Sequence, residues 1–302
     1  MQRVLLISNA RAGSVSTRTK EVISKALSAD FKLEVADTQS RGHASDLARQ
    51  GVEDGYDAIL AFGGDGTINE VAQDMVSTNI ALGIIPGGST NVMARSLGIP
   101  TDPVDATAFA ASHLRSGTRR RINVGRIGAR YFLFSCGMGL DAEVVKRVEA
   151  DPEGKKRSAK MTFLKHALNV GFTRYRGADP LITMEAGNSP PEKVLFAIVC
   201  NAAPFTYFGR FPLDACPDAR LESGLDFLAM TKIRTLTIPR IVWGIFVSRS
   251  HVRWKISRYI TDVNEGSLRA TEPLPVQVDG DYIGEVDRAF IRMIPSALDL
   301  LV

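Results

Sequence analysis

The sequence predicts a two-part α/β plus β protein, with a doubly wound parallel α/β domain first and a mainly β domain after it. Three observations predict this. Short apolar runs alternate with helically spaced segments through the first hundred residues, polar glycine-bearing loops follow three of those runs, and beyond about residue 120 the pattern becomes strand candidates separated by turn residues.

Val4, Leu5, Leu6 and Ile7 form a continuous apolar run, as expected of a strand buried on both faces. Residues 20–27 follow at helical spacing, then a second strand over 31–35 and a helix over 43–50. Ala58, Ile59, Leu60, Ala61 and Phe62 make a third buried strand that ends in glycines. A helix over 68–76, a fourth strand over 81–85, another glycine turn and a helix over about 91–97 complete the alternation. Such alternation gives a parallel sheet covered on both faces, whose ligands bind at the carboxyl ends of the strands. All three loops fall at those ends. In the second half, 121–128 and 130–136 read as a hairpin around Gly128 and Ala129. Further strands are expected over 181–185, 193–201 and 224–232, and a hairpin-like stretch over 275–294, with two helical insertions. The boundary is expected near residue 122.

The 302 residues are 45% hydrophobic, enough for two cores. A net charge of +4 suits anionic ligands or an anionic membrane surface. No nucleic-acid partner is expected. Cys136, Cys200 and Cys216 have neither CxxC nor metal-ligand spacing, and the four histidines form no zinc pattern. The reading is of a reduced, cytoplasmic protein without disulfides. Residues 1–8 are too short for a signal-peptide core. The longest apolar candidate, 238–247, carries Pro239 and Arg240 and cannot span a bilayer.

Residues 61–70 read Ala-Phe-Gly-Gly-Asp-Gly-Thr-Ile-Asn-Glu, ending a strand and opening a helix. In that geometry backbone N–H groups and a helix N-terminus meet an anion. Gly63, Gly64 and Gly66 let the backbone approach phosphate oxygens. Thr67 is expected to cap the helix and offer its hydroxyl, with Ile68, Asn69 and Glu70 completing the contact stretch. Asp65 repels phosphate, so it is expected to work through Mg²⁺ or on the acceptor side. The loop is neither a Walker A loop nor the dinucleotide fingerprint GxGxxG. A second loop carries Gly87, Gly88, Ser89, Thr90 and Asn91, with Ser89 placed for a phosphate or ribose. A third carries Asn9, Ala10, Arg11, Ala12 and Gly13. Any one of them could be a plain tight turn; three at adjacent strand ends predict a nucleotide site.

These residues carry a family resemblance. The chain resembles the soluble bacterial branch of the diacylglycerol kinase and sphingosine kinase superfamily. Gly-Gly-Asp-Gly-Thr-Ile-Asn-Glu at 63–70 matches that family's nucleotide loop, and Gly88-Ser89-Thr90-Asn91 followed by Ala94-Arg95-Ser96-Leu97-Gly98-Ile99-Pro100 is similar to its next signature. Residues 9–13 resemble its NPxSG stretch with Ala10 in place of proline, and Thr38 resembles a further ATP-contacting position. Gln277-Val278-Asp279-Gly280-Asp281 resembles its DGE motif, with Asp281 one methylene shorter than the usual glutamate. Val92 stands where some members have Asp.

The resemblance implies an α/β nucleotide domain over 1–122, joined by a returning segment at about 288–302, and a β-sandwich lipid-binding domain over 123–287. It implies an active site in the cleft and transfer of phosphate from ATP, with Mg²⁺, to a lipid hydroxyl, diacylglycerol by default. On its own Asp279-Gly280 reads as a hairpin turn. The resemblance makes Asp279 the candidate general base, with Asp65 and Asp281 as metal-linked or base-supporting acids. No residue is assigned as a metal ligand. The alternatives are an NAD kinase-like enzyme, which shares the GGDGT loop, and a nucleotide sensor without catalysis.

The lipid leaves a fainter trace. Lys155, Lys156, Arg157, Lys160 and Lys165 flank Met161, Leu164 and Leu168 at helical spacing, the pattern of a basic amphipathic helix on an anionic membrane or of an ordinary surface helix. Residues 236–247, with Trp243 and Phe246, are candidates for an acyl-chain cleft or a core helix. Peripheral association with the inner membrane face is expected, and a homodimer stays open.

Overall fold

Each apolar run of the first hundred residues becomes a parallel strand, because a strand covered by helices on both faces has no polar side to present. In the computed structural model, residues 1–9, 16–233, 244 and 248–302 are described, apart from the side chains of 155, 156, 159 and 160. The chain divides into two units, Met1–Val124 with Ile294–Val302, and Gly125–Met293.

The first unit runs β1 (Arg3–Ser8), α1 (Thr17–Ser28), β2 (Lys32–Asp37), α2 (His43–Glu53), β3 (Ala58–Gly63), α3 (Asp65–Met75), β4 (Ala81–Pro86), α4 (Val92–Ser96) and α5 (Pro103–Ser116), and the chain enters β5 (Arg120–Ile127) at its end. The sheet order is β4-β3-β1-β2, all parallel. All six residues of β3 and of β4 are buried, while β2, at the sheet edge, is largely exposed. Near the chain's end, Asp299 and Leu300 pair in parallel with Ala81 and Leu82 and add a further strand beside β4. The helix ends follow local chemistry. Ser16 Oγ accepts from Thr19 N (3.0 Å) at the start of α1. Asp102 accepts from Val104 N (2.8 Å) and Asp105 N (3.1 Å) before α5, which opens on Pro103 and stops at Gly117 with φ 70°.

The second unit continues with β6 (Arg130–Phe132), β7 (Ser135–Met138), α6 (Leu140–Glu149), α7 (Pro152–Thr173), β8 (Ile182–Ala186), β9 (Glu192–Val194), β10 (Phe196–Cys200), β11 (Thr206–Phe208), β12 (Phe211–Leu213), β13 (Leu225–Met230), β14 (Ser257–Val263), β15 (Glu265–Val278) and β16 (Asp281–Leu300). It is a β-sandwich whose two layers share β15. Early in β15, Leu268 pairs with Met184 of β8, and β8 pairs with β9. The register of β15 then shifts between Arg269 and Leu274, and Val276 pairs with Met138 of β7. From β7 the ladder passes antiparallel through β10 and β13 to β14. One core takes Met184, Ala186 and Val194 from one layer and Met138, Val199 and Phe227 from the other. A second core packs Val144 and Val148 of α6 and Val170 of α7 on Phe196 and Ile198. Successive residues of β10 therefore enter opposite cores, which is why this antiparallel strand reads as an unbroken apolar run.

The units meet the chain at 124/125 and 293/294, against the expected 122/123 and 287/288. Both changes of unit fall inside strands, β5 and β16, so no linker composition marks them. The single strand expected over 193–201 is broken at Leu195, whose N–H turns to Met230 O (2.8 Å). The candidate helix over 236–247, with Trp243 and Phe246, lies outside the described residues.

Candidate functional site

In the first unit the loop heads are stitched together by backbone. Asn9 N donates to Phe62 O (2.9 Å), Gly87 N to Gly63 O (2.7 Å) and Thr38 N to Ser8 O (2.9 Å). Side chains complete the weave. Asn9 Nδ2 donates to Thr67 Oγ1 at 2.9 Å. Asn91, at φ 51°, closes its own loop with a reciprocal pair, accepting from Gly88 N and donating to Gly88 O, both at 2.9 Å.

The glycines are required by this packing. A Cβ on Gly63 would stand 2.6 Å from Thr67 Oγ1, and one on Gly88 2.8 Å from Gly64 Cα. The second contact is of a Cβ against backbone, which no rotamer change relieves.

Several residues expected to contact a ligand also hold the loops. Asp65 accepts from Val92 N (3.0 Å) and Met93 N (3.1 Å), capping α4 and tying the two glycine loops together. Burial raises its carboxyl above the usual range, and those amides pull the other way. Each of its oxygens thus accepts from a backbone amide. Glu70 accepts from Gly42 N (2.9 Å) and Ala44 N (3.3 Å) and caps α2, whose N-cap residue is a glycine. Ile68 is fully buried and Asn69 nearly so, bonded through its Oδ1 to Gln73 Nε2 (3.0 Å). Thr67 is not the N-cap of α3, which is Gly64; the hydroxyl of Thr67 is held by Asn9. Ser89 is exposed and Thr90 and Thr38 are half-buried. Ala10, Arg11, Ala12 and Gly13 lie outside the described residues.

What remains open is the start of α3. With α2 and α4 capped by Glu70 and Asp65, α3 has only Gly64 ahead of it, which offers no side chain. Among the described residues no side chain bonds the amides of Gly66 or Thr67. An uncapped helix N-terminus at the carboxyl end of a buried strand is a phosphate seat. The donor set fits a nucleotide's phosphates. Among the described residues no group of three or more His, Cys, Asp or Glu side chains forms a metal cage. Mg²⁺ bound chiefly through nucleotide phosphates needs no such cage.

In the second unit Asp279 and Gly280 form the two-residue turn between β15 and β16, with φ 47° and 83° and Val278 paired to Asp281. Asp279 is buried. Its carboxylate accepts from Leu133 N (2.7 Å), Phe134 N (3.0 Å) and Ser135 N (2.9 Å), and its own N donates to Ser135 O (2.8 Å). It thereby closes the break between β6 and β7. A carboxylate engaged by three amides is held in one orientation. The structure thus gives Asp279 an anchoring role in the turn. Asp281, half-buried at the head of β16, is the more accessible acid of the turn.

Sequence reasoning missed the support behind this turn. Gln277 Oε1 accepts from Gly280 N (2.9 Å), and its Nε2 donates to Asp141 Oδ2 (3.0 Å) at the start of α6. Tyr282 N donates to Glu149 Oε1 (3.0 Å) at the end of the same helix. An acid just after a glycine-bearing strand-to-helix turn, Gly137-Met138-Gly139-Leu140-Asp141, was the available signal.

The diacylglycerol kinase catalytic domain matches residues 3–127. A diacylglycerol kinase of Staphylococcus saprophyticus is 33% identical over 90% of this chain and 86% of its own length. One from Bacillus subtilis is 25% identical over 97% of this chain and 94% of its own length. A solved diacylglycerol kinase structure from Bacillus anthracis has the same fold, with a TM-score of 0.72 at 19% identity, covering 99% of this chain and 96% of that one. With its nucleotide-type loops and acidic turn, the chain belongs to the diacylglycerol kinase family of lipid kinases.

Proposed function

We propose that this protein moves the γ-phosphoryl group of ATP, accompanied by Mg²⁺, onto the hydroxyl of a membrane lipid, with diacylglycerol as the substrate and phosphatidic acid as the product. The observation that carries this reading is the uncapped N-terminus of α3, set between two glycine loops whose other helices are already capped. The amides of Gly66 and Thr67 and the exposed Ser89 hold the phosphates of the donor. Mg²⁺ supplies charge neutralisation on the phosphate oxygens. As the lipid oxygen bonds to phosphorus and ADP leaves, Asp281 takes the hydroxyl proton, with Asp279 anchoring the turn.

Access to the lipid comes through peripheral contact. Met161, Leu168 and Phe172 of α7 are exposed, at 58%, 39% and 41%, and fall at helical spacing with exposed Lys165 among them. Their opposite face, with Val170, enters the second core. An apolar stripe carrying lysine suits an anionic lipid surface. No helix among the described residues is long and apolar enough to cross a membrane. Met161→Glu with Phe172→Glu is expected to abolish sedimentation with phosphatidylglycerol vesicles while turnover of a short-chain soluble diacylglycerol persists. Unchanged sedimentation would remove α7 as the contact.

The test of the activity is a panel assay. Purified protein with γ-labelled ATP and Mg²⁺ is offered diacylglycerol, monoacylglycerol, ceramide, a sphingoid base and NAD in mixed micelles. Label in phosphatidic acid is the expected result. Label in NADP alone, or nucleotide binding with no product from any acceptor, would sink the reading.

A further inference from the structure

Asp141 is a buried carboxylate with no cation. Among the described residues it makes no ion pair, whereas its neighbour Glu143 holds both Arg147 (2.8 Å) and Arg174 (3.1 Å). Its Oδ1 is buried without a hydrogen-bond partner, and its Oδ2 has the single donor Gln277 Nε2. Burial pushes its carboxyl up to about 6, against the pull of Gln277 and of the amides that open α6. Such a group works against the fold. Space is nevertheless made for it. A Cβ on Gly137 would lie 1.9 Å from Asp141 Oδ2, and Gly137 is the register partner of Gln277 across β7 and β15.

From Asp141 the bonds lead to one place. Gln277 is itself buried, and its other end holds Gly280 N, the amide between the two acids of the turn. On the far side of Asp281, Tyr282 N is held by Glu149 of the same helix. Helix α6 thus holds the N–H of the residue before Asp281, through Gln277, and the N–H of the residue after it directly. Asp279, anchored separately by three amides, does not need this support to keep its own carboxylate in place.

We propose that Asp141 is a positioning residue for phosphoryl transfer: acting through Gln277, it sets the direction of the Gly280–Asp281 backbone and so aims the Asp281 carboxylate. This rests on the reading of the turn as the proton-accepting element. The ionised form is the stronger acceptor for the amide of Gln277, and a short hydrogen-bonded chain with no slack is what a precisely aimed carboxylate requires.

The test exchanges donor and acceptor. Asp141→Leu removes the acceptor at near-constant volume, and Gln277→Glu sets carboxylate against carboxylate. In the double variant Asp141→Asn/Gln277→Glu, the asparagine amide donates to the new carboxylate, which still accepts from Gly280 N. Each single variant is expected to lower kcat about ten-fold at pH 8 with KM for ATP unchanged, and the double variant to return to within about three-fold of wild type. A structural role would lower the melting temperature without this pattern. Wild-type kcat in Asp141→Leu, or a double variant no faster than Gln277→Glu, overturns the proposal. Asp281→Asn is measured beside them. Should it keep turnover, the reading of the turn falls first and the positioning role with it; should it lose turnover while Asp141→Leu keeps it, only the positioning role falls.

Discussion

Replacing Asp141 by its isostere asparagine should make the protein more stable at neutral pH. In the unfolded chain an aspartate gives up its proton near 3.8; in the folded protein burial holds the Asp141 proton up to about 6. The folded state therefore binds this proton more tightly. Its contribution to stability is fully present below the unfolded value and is lost as pH rises through about 6. A displacement from 3.8 to about 6 corresponds to about 3 kcal/mol once the group is fully ionised. Asparagine carries no titrating proton, keeps an oxygen for Gln277 Nε2 and avoids the penalty of a buried charge. Urea unfolding of wild type and Asp141→Asn, followed by circular dichroism at pH 7.5 and pH 4, measures the difference. The variant should gain up to about 3 kcal/mol at pH 7.5 and little or nothing at pH 4. A variant less stable than wild type at pH 7.5, or a gap that does not change with pH, would show that the ionised carboxylate has a favourable partner and would refute the reasoning.

Two other perturbations follow from the same geometry. Asp279→Asn should lower stability by about 3 kcal/mol, because an amide cannot accept all three N–H groups of Leu133, Phe134 and Ser135; thermal unfolding measures this, and an unchanged melting temperature would remove the anchoring role. Gly88→Ala should lower stability by about 1–3 kcal/mol and weaken ATP binding, since its Cβ would press on Gly64 Cα at 2.8 Å; calorimetry with a non-hydrolysable analogue should show the loss, and wild-type affinity would mean the loops part without consequence.

Much of the first unit was legible because its signals are local. Val4 to Ile7 and Ala58 to Phe62 announce buried parallel strands through their own composition, and the glycines after them announce tight strand-to-helix turns. The parts hidden in the sequence are those where a side chain answers to a distant segment. Nothing near Glu70 in sequence says that it caps α2, or near Asp65 that it caps α4. A polar residue in a phosphate-type loop reads as a ligand contact until its partner is seen. The same holds for Asp279, whose three donors lie more than 140 residues earlier. β14 leaves little trace in the sequence because Arg258, Tyr259, Ile260 and Thr261 do not alternate clearly between polar and apolar. Asp141 carries no local signal of its role, and its chemistry becomes visible only when α6, β7 and β15 are brought together.

The pairing of Asp299 and Leu300 with β4 bears on how the protein is made. A ribosome delivers β1 to β4 first, and domains generally begin to fold as they emerge. Here the sheet that carries the glycine loops cannot acquire its last strand until the whole of the second unit has been synthesised. During that interval the edge of β4, buried in the finished protein, is an unpaired row of backbone donors and acceptors. The nascent chain thus has to shield one open sheet edge for most of its synthesis.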